Sequence, residues 1–127
     1  MNPETYTTGL GEAIAAHRAY MGLSQRGMAR RLGTDRRDYQ RIEQGRDACP
    51  PGFLDKVTTL VDHFDNAVDS LIEHARERGG AEFEVRREAE AEWERNIAYR
   101  ALVLGSASDA PVSITLTVVG ELEREAS

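Results

Sequence analysis

Several things are scarce in this chain of 127 residues, and each scarcity excludes something. There is one cysteine, Cys49, so no internal disulfide can form and stability does not depend on oxidation. The three histidines, His17, His63 and His74, lack ligand spacing with that cysteine, so a zinc site is not expected and no cofactor is called for. No apolar run approaches the ~18 residues that a membrane span needs, and no charged-then-apolar leader is present. Neither membrane nor export is indicated, and the cytoplasm is the expected compartment. No nucleophile–base pairing or glycine-rich phosphate loop can be read locally, so an enzyme is not expected. Lysine is the last scarcity: Lys56 stands alone among 16 basic residues, and the other basic positions are all arginine. A GC-rich genome produces the same bias, which lowers the weight any one arginine carries.

What is present is an uneven distribution of charge. The net charge of −6 argues at first against a nucleic-acid partner. Between His17 and Arg46, however, eight arginines face three acids, a local excess of +5. The rest of the chain holds 8 bases and 19 acids, or −11. A concentrated basic face on an acidic body can orient a protein on DNA while limiting non-specific adhesion.

That basic stretch is also the best-organised one. In residues 22 to 45, Ser24 suits a helix N-cap, and Met28, Ala29 and Leu32 form an apolar stripe behind it. Gly33 supplies the left-handed residue that stops the helix. Asp35 then caps a second helix whose Tyr39 and Ile42 point back at the first. The other face of that helix carries Arg36, Arg37, Gln40, Arg41 and Gln44, side chains of a length and chemistry that reach base edges and phosphates. Gly27 is the oddity. It reads as a mid-helix glycine, costing about 1 kcal/mol against alanine, and stands either for a close backbone approach or for plain tolerance.

Leu23, Ser24, Gln25, Ala29, Leu32, Gly33, Arg41, Ile42, Glu43 and Gly45, in uninterrupted spacing, resemble the helix-turn-helix of the phage repressor and Cro class, the Xre-type regulators. The likeness covers roughly residues 10 to 75. The run from Arg37 to Gly45 is in addition similar to that of anti-CRISPR-associated autorepressors and related small regulators. The resemblance implies base reading by Arg36, Arg37, Gln40 and Arg41. For Gln25 it implies a phosphate contact or a brace for a reading side chain. Ser24, Arg26 and Arg46 are further phosphate candidates, since helix N-termini favour phosphate. The resemblance also gives Arg18 and Glu43 a structural role, as an internal ion pair between the first and third helices.

Around this stretch, Leu10, Ile14, His17 and Met21 predict a first helix closed by Gly22. Residues 1 to 8 are polar and expected to be loose. After the Pro50-Pro51 loop, Phe53, Val57, Leu60, Val61 and Phe64 predict a fourth helix. A break is expected at Asp65-Asn66, followed by a fifth helix on Val68, Leu71, Ile72 and Ala75. Gly79-Gly80 is the clearest hinge. Beyond it Phe83 and Val85 alternate with polar residues as a short strand. Arg87 to Arg95 reads as a charged helix anchored by Trp93. Tyr99 to Leu104 stays open between a helix and a strand in a hairpin with Val112 to Val119. The latter stretch is a strand by its alternation of Val112, Ile114, Leu116 and Val118 with Ser and Thr. Glu121 to Ser127 is a charged tail.

The expected fold is mainly α: a five-helix lambda-repressor-like module at residues 1–78, then a small α+β dimerisation segment at 81–127. Phe83, Trp93, Val112, Ile114 and Leu116 are its candidate dimer contacts. The expected partners are double-stranded DNA and a second copy, the whole acting as a repressor or autorepressor on a pseudo-palindromic operator. The alternative is an antitoxin whose acidic half neutralises a basic toxin while the helix-turn-helix controls its own operon.

Overall fold

The computed structural model describes residues 6–119, and the charged tail from Glu121 lies outside them. The chain is mainly α, with five α-helices and one two-stranded sheet among the described residues. It divides into two compact units, residues 1–63 and 64–127.

The first unit holds α1 (Gly11–Met21), α2 (Gln25–Leu32), α3 (Arg36–Glu43) and the opening turns of α4 (Phe53–Glu77). Local chemistry sets each boundary. Gly22 ends α1 at φ 70°, and its N–H donates to the Ala19 carbonyl. The Ser24 hydroxyl caps α2 by accepting from the Gly27 N–H at 3.0 Å. Gly27 is thus the third residue of α2, in its capped first turn rather than mid-helix, and it is buried. Gly33, again at φ 70°, turns the chain so that Asp35 can cap α3 by accepting from the Arg37 N–H at 2.9 Å. The core is Ile14, Met21, Leu23, Met28, Ala29, Leu32, Tyr39, Ile42, Cys49, Phe53 and Val57, all nearly inaccessible to water. The expectation that residues 1 to 8 are loose fails at Thr7. Its backbone exchanges two hydrogen bonds with Cys49, at 3.0 and 2.7 Å.

One close approach went unforeseen. Gly11 is buried at the start of α1, against the end of α3. A Cβ there would press on the carbonyl oxygens of Glu43 and Ile42, the latter at 3.0 Å. Backbone has no rotamer with which to yield, so only glycine fits.

In the second unit, α4 runs unbroken through Asp65 and Asn66, against the expected break. Neither residue stops a helix as Gly or Pro would, and the buried stripe Phe64, Val68, Ala75 continues in phase. The helix proposed on Val68 to Ala75 is therefore the second half of α4. Gly79 and Gly80, with φ of 71° and 130°, then turn the chain into β1 (Ala81–Val85). A 3-10 turn at Ala89–Ala91 precedes α5 (Glu92–Ala107), so the helix expected from Arg87 opens later. The ambiguous Tyr99 to Leu104 lies inside α5. β2 (Ile114–Val118) pairs in parallel with β1, Ala81 opposite Ile114 and Val85 opposite Val118. Parallel strands cannot be joined by a tight turn, and α5 is the crossover between them. The hairpin alternative is excluded for that reason.

Candidate nucleic-acid interface

Arg36 and Arg37 are the first two residues of α3 and both are exposed. The Asp35 cap fixes the helix start, so these two side chains leave it from the first turn. Arg41 is one turn further on and exposed, but it is engaged. Its guanidinium donates to both Asp47 carboxylate oxygens, at 2.9 and 3.1 Å. Both partners are well exposed, so the pair is screened by solvent and contributes little to stability. It tethers Arg41 toward the loop after α3. Asp47 belongs to no motif, and six residues of separation is no helical neighbour spacing, so nothing in the sequence pointed to it.

Gln40 is half-buried and bound to α2. Its amide donates to Gln25 Oε1 at 2.9 Å, and the Gln25 amide donates to Glu43 Oε1 at 3.2 Å. Of the two roles implied for Gln25, this arrangement is that of the brace. Glu43 in turn holds Arg18 through two bonds, Nε to Oε2 at 2.9 Å and Nη2 to Oε1 at 2.7 Å. Arg18 also donates to the Leu23 carbonyl at 3.0 Å. One continuous set of hydrogen bonds therefore runs from α1 through Glu43 and α2 to Gln40 on α3.

Burial would push the Glu43 carboxyl up, but hydrogen bonds and the charge of Arg18 outweigh it and hold the group below its usual value. Glu43 raises Arg18 in return, against the effect of burial. The Tyr39 hydroxyl lies beside this pair, fully buried and without a hydrogen bond of normal geometry. Burial first, then the neighbouring Glu43 carboxylate, pushes the phenol well above its ordinary range. The pair is structural, since Glu43 keeps only 8% of its side-chain surface exposed.

The phosphate candidates divide. Ser24 is exposed, but its hydroxyl is the α2 cap. Arg26 is exposed in the first turn of α2, and Arg46 is exposed in the turn after α3. All eight interface candidates lie in the first unit, on α2, α3 and the residues bordering them.

The proposed dimer contacts are in the second unit and are mostly spent inside it. Val112 and Ile114 are buried, 6% and 9% exposed. Both sit within van der Waals reach of Gly105 on α5. Phe83, Trp93 and Leu116 are half-buried, with Trp93 edge-on to Phe64 at 5.5 Å and Phe83 stacked obliquely on His74 at 6.1 Å. The alternation that marked Val112 and Ile114 as apolar is the signature of a face turned inward. It cannot say whether that face meets its own chain or another.

No helix among the described residues is long and apolar enough to cross a membrane. Comparison with curated proteins and with solved structures gave no match. Residues 10–68 match a family model described as a helix-turn-helix domain. That span holds α1 to α3 and the first part of α4, with the glycine turn at Gly33 between α2 and α3. Residues 10–68, a little under half of the chain, are thus similar to a helix-turn-helix domain, in which the second paired helix is the one offered to the major groove.

Proposed function

We propose that this protein is a sequence-specific regulator of transcription, a binding protein rather than an enzyme, that represses from an operator in double-stranded DNA. The observation that carries the reading is the α3 surface. Arg36 and Arg37 are exposed on its first turn, and Gln40 is held in place from behind by Gln25 and Glu43. A reading helix needs this combination: long donors free to meet base edges, on a backbone whose angle is fixed by a separate, partly buried set of bonds. Arg36 and Arg37 suit guanine O6 and N7, and Gln40 suits adenine, each good pair giving about 1–3 kcal/mol of discrimination. Arg26 and Arg46 suit phosphates, which position the module without reading sequence.

A single module of this kind covers little DNA, so tight binding calls for two copies on a pseudo-palindrome, with reading helices ~34 Å apart. Repression of the Xre and Cro type acts by such occupancy in the cytoplasm, and control of the protein's own gene is its simplest form. The test is selection of bound duplexes from a random pool. A palindromic consensus supports the reading, and recovery of no preferred sequence at moderate salt contradicts it.

A further inference from the structure

Gln40 stands at the end of a line of hydrogen bonds that has a direction. The line starts at Glu43, whose carboxylate is held by Arg18 Nε at 2.9 Å and Nη2 at 2.7 Å. An ionised carboxylate only accepts. Gln25 must therefore turn its amide nitrogen to Glu43, and it does so at 3.2 Å. That leaves the Gln25 carbonyl oxygen toward α3, where it accepts from Gln40 Nε2 at 2.9 Å. Each amide is thus oriented by the group before it. Gln40 spends one N–H on Gln25 and keeps its oxygen and second N–H for a ligand. Gln25, Gln40 and Glu43 are all half-buried, so water competes less with these bonds than it would at an open surface.

A glutamine free to rotate its amide is ambiguous in a major groove. Its oxygen suits the amino groups of adenine and cytosine, and its nitrogen suits the keto oxygens of guanine and thymine. We propose that Glu43, acting through Gln25, fixes the Gln40 amide with its oxygen outward and so restricts the base it reads to one carrying an amino group, adenine above cytosine. Adenine leads because the second Gln40 N–H can meet its N7, whereas cytosine has no acceptor beside its amino group. This rests on the reading of α3 as the recognition helix and extends it to two residues that touch no base. Gln25 and Glu43 are positioning residues for specificity. The carboxylate that ties α1 to α3 is also the source of the polarity that Gln40 presents to DNA.

The test selects bound duplexes from a random pool with the full-length wild type, Gln40→Ala, Gln25→Lys and Gln25→Met, circular dichroism checking that each variant folds. Gln40→Ala locates the position: preference there is expected to vanish while the rest of the consensus remains. Gln25→Lys carries an ammonium that only donates, so it can face Glu43 but obliges Gln40 to turn its oxygen inward. The expected result is exchange of adenine for guanine or thymine at that one position, about tenfold in relative affinity, the size of one good base contact. Gln25→Met makes neither bond, and is expected to leave the position without preference between amino and keto bases. A purely structural Gln25 would instead lower affinity for all sequences alike. That outcome, or adenine retained in both Gln25 variants, would overturn the proposal. A consensus unchanged by Gln40→Ala would overturn it alone and leave the reading by Arg36 and Arg37 in place. A wild type that selects no consensus would remove both, so the two failures are distinguishable.

Discussion

The two units of this chain are built on different kinds of information. In residues 1–63 the determinants are short-range: Ser24 and Asp35 cap helices through side chains two or three residues from their partners, and glycines 22 and 33 stop them. In residues 64–127 the decisive feature is a parallel pairing between Ala81–Val85 and Ile114–Val118, with a whole helix between. Charge divides the same way, 9 bases to 8 acids in the first and 7 to 14 in the second. The arginine-bearing first unit and the acidic second unit are thus distinct in chemistry as well as in folding logic.

The glycines offer the sharpest contrast. Gly11→Ala should destabilise the protein by about 2–3 kcal/mol, because its Cβ meets rigid carbonyls of α3. Gly105→Ala should be neutral or stabilise by up to about 1 kcal/mol. The added Cβ would meet Ile114 Cδ1 at 3.5 Å and Ile72 Cγ1 and Val112 Cβ at 3.8 Å, ordinary contact distances, and alanine favours helix. Denaturant unfolding of the two variants checks this, and equal effects would remove the contrast.

Next comes the ion pair. Glu43→Gln should cost about 2 kcal/mol at neutral pH, less than the 3–5 kcal/mol typical of fully buried pairs. The folded carboxyl titrates below the unfolded value of 4.5, so its contribution is complete above that value. It is lost as pH falls through the folded value. Unfolding measured against pH should therefore show wild type and variant converging in acid, not in base.

The smallest effect belongs to Asp47→Ala. It removes an exposed, screened pair and should leave the denaturant midpoint of unfolding essentially unchanged. DNA affinity should rise a few-fold, since Arg41 loses a competing carboxylate. An unchanged affinity would mean that Arg41 does not reach DNA.

Much of the first unit was legible because its signals are local: caps, glycine turns and a 3.6-residue stripe, each interpretable within a few positions. The Arg18–Glu43 pair came from the family likeness alone, since its partners are 25 residues apart. In the second unit Tyr99 to Leu104 carried apolar and β-branched residues compatible with either state. The sheet decided it, because parallel strands require a crossover. Asp65-Asn66 misled because two polar residues in a row look like a boundary, whereas a helix buried on one face accommodates them, Asp65 half-buried at its flank and Asn66 exposed. The four-residue reach of local reasoning also explains why the Arg41–Asp47 tether and the Gly11 contact were missed.

The reading of α3 as the DNA-recognition helix is tested most directly by replacing Arg36 and Arg37 together with alanine. Affinity for the selected duplex and for random duplex would be measured at one salt concentration. The account predicts a loss of at least about a hundredfold on the selected duplex and a much smaller loss on random DNA. Equal losses on both would make the two arginines phosphate contacts, and no loss on either would contradict the assignment of α3 altogether.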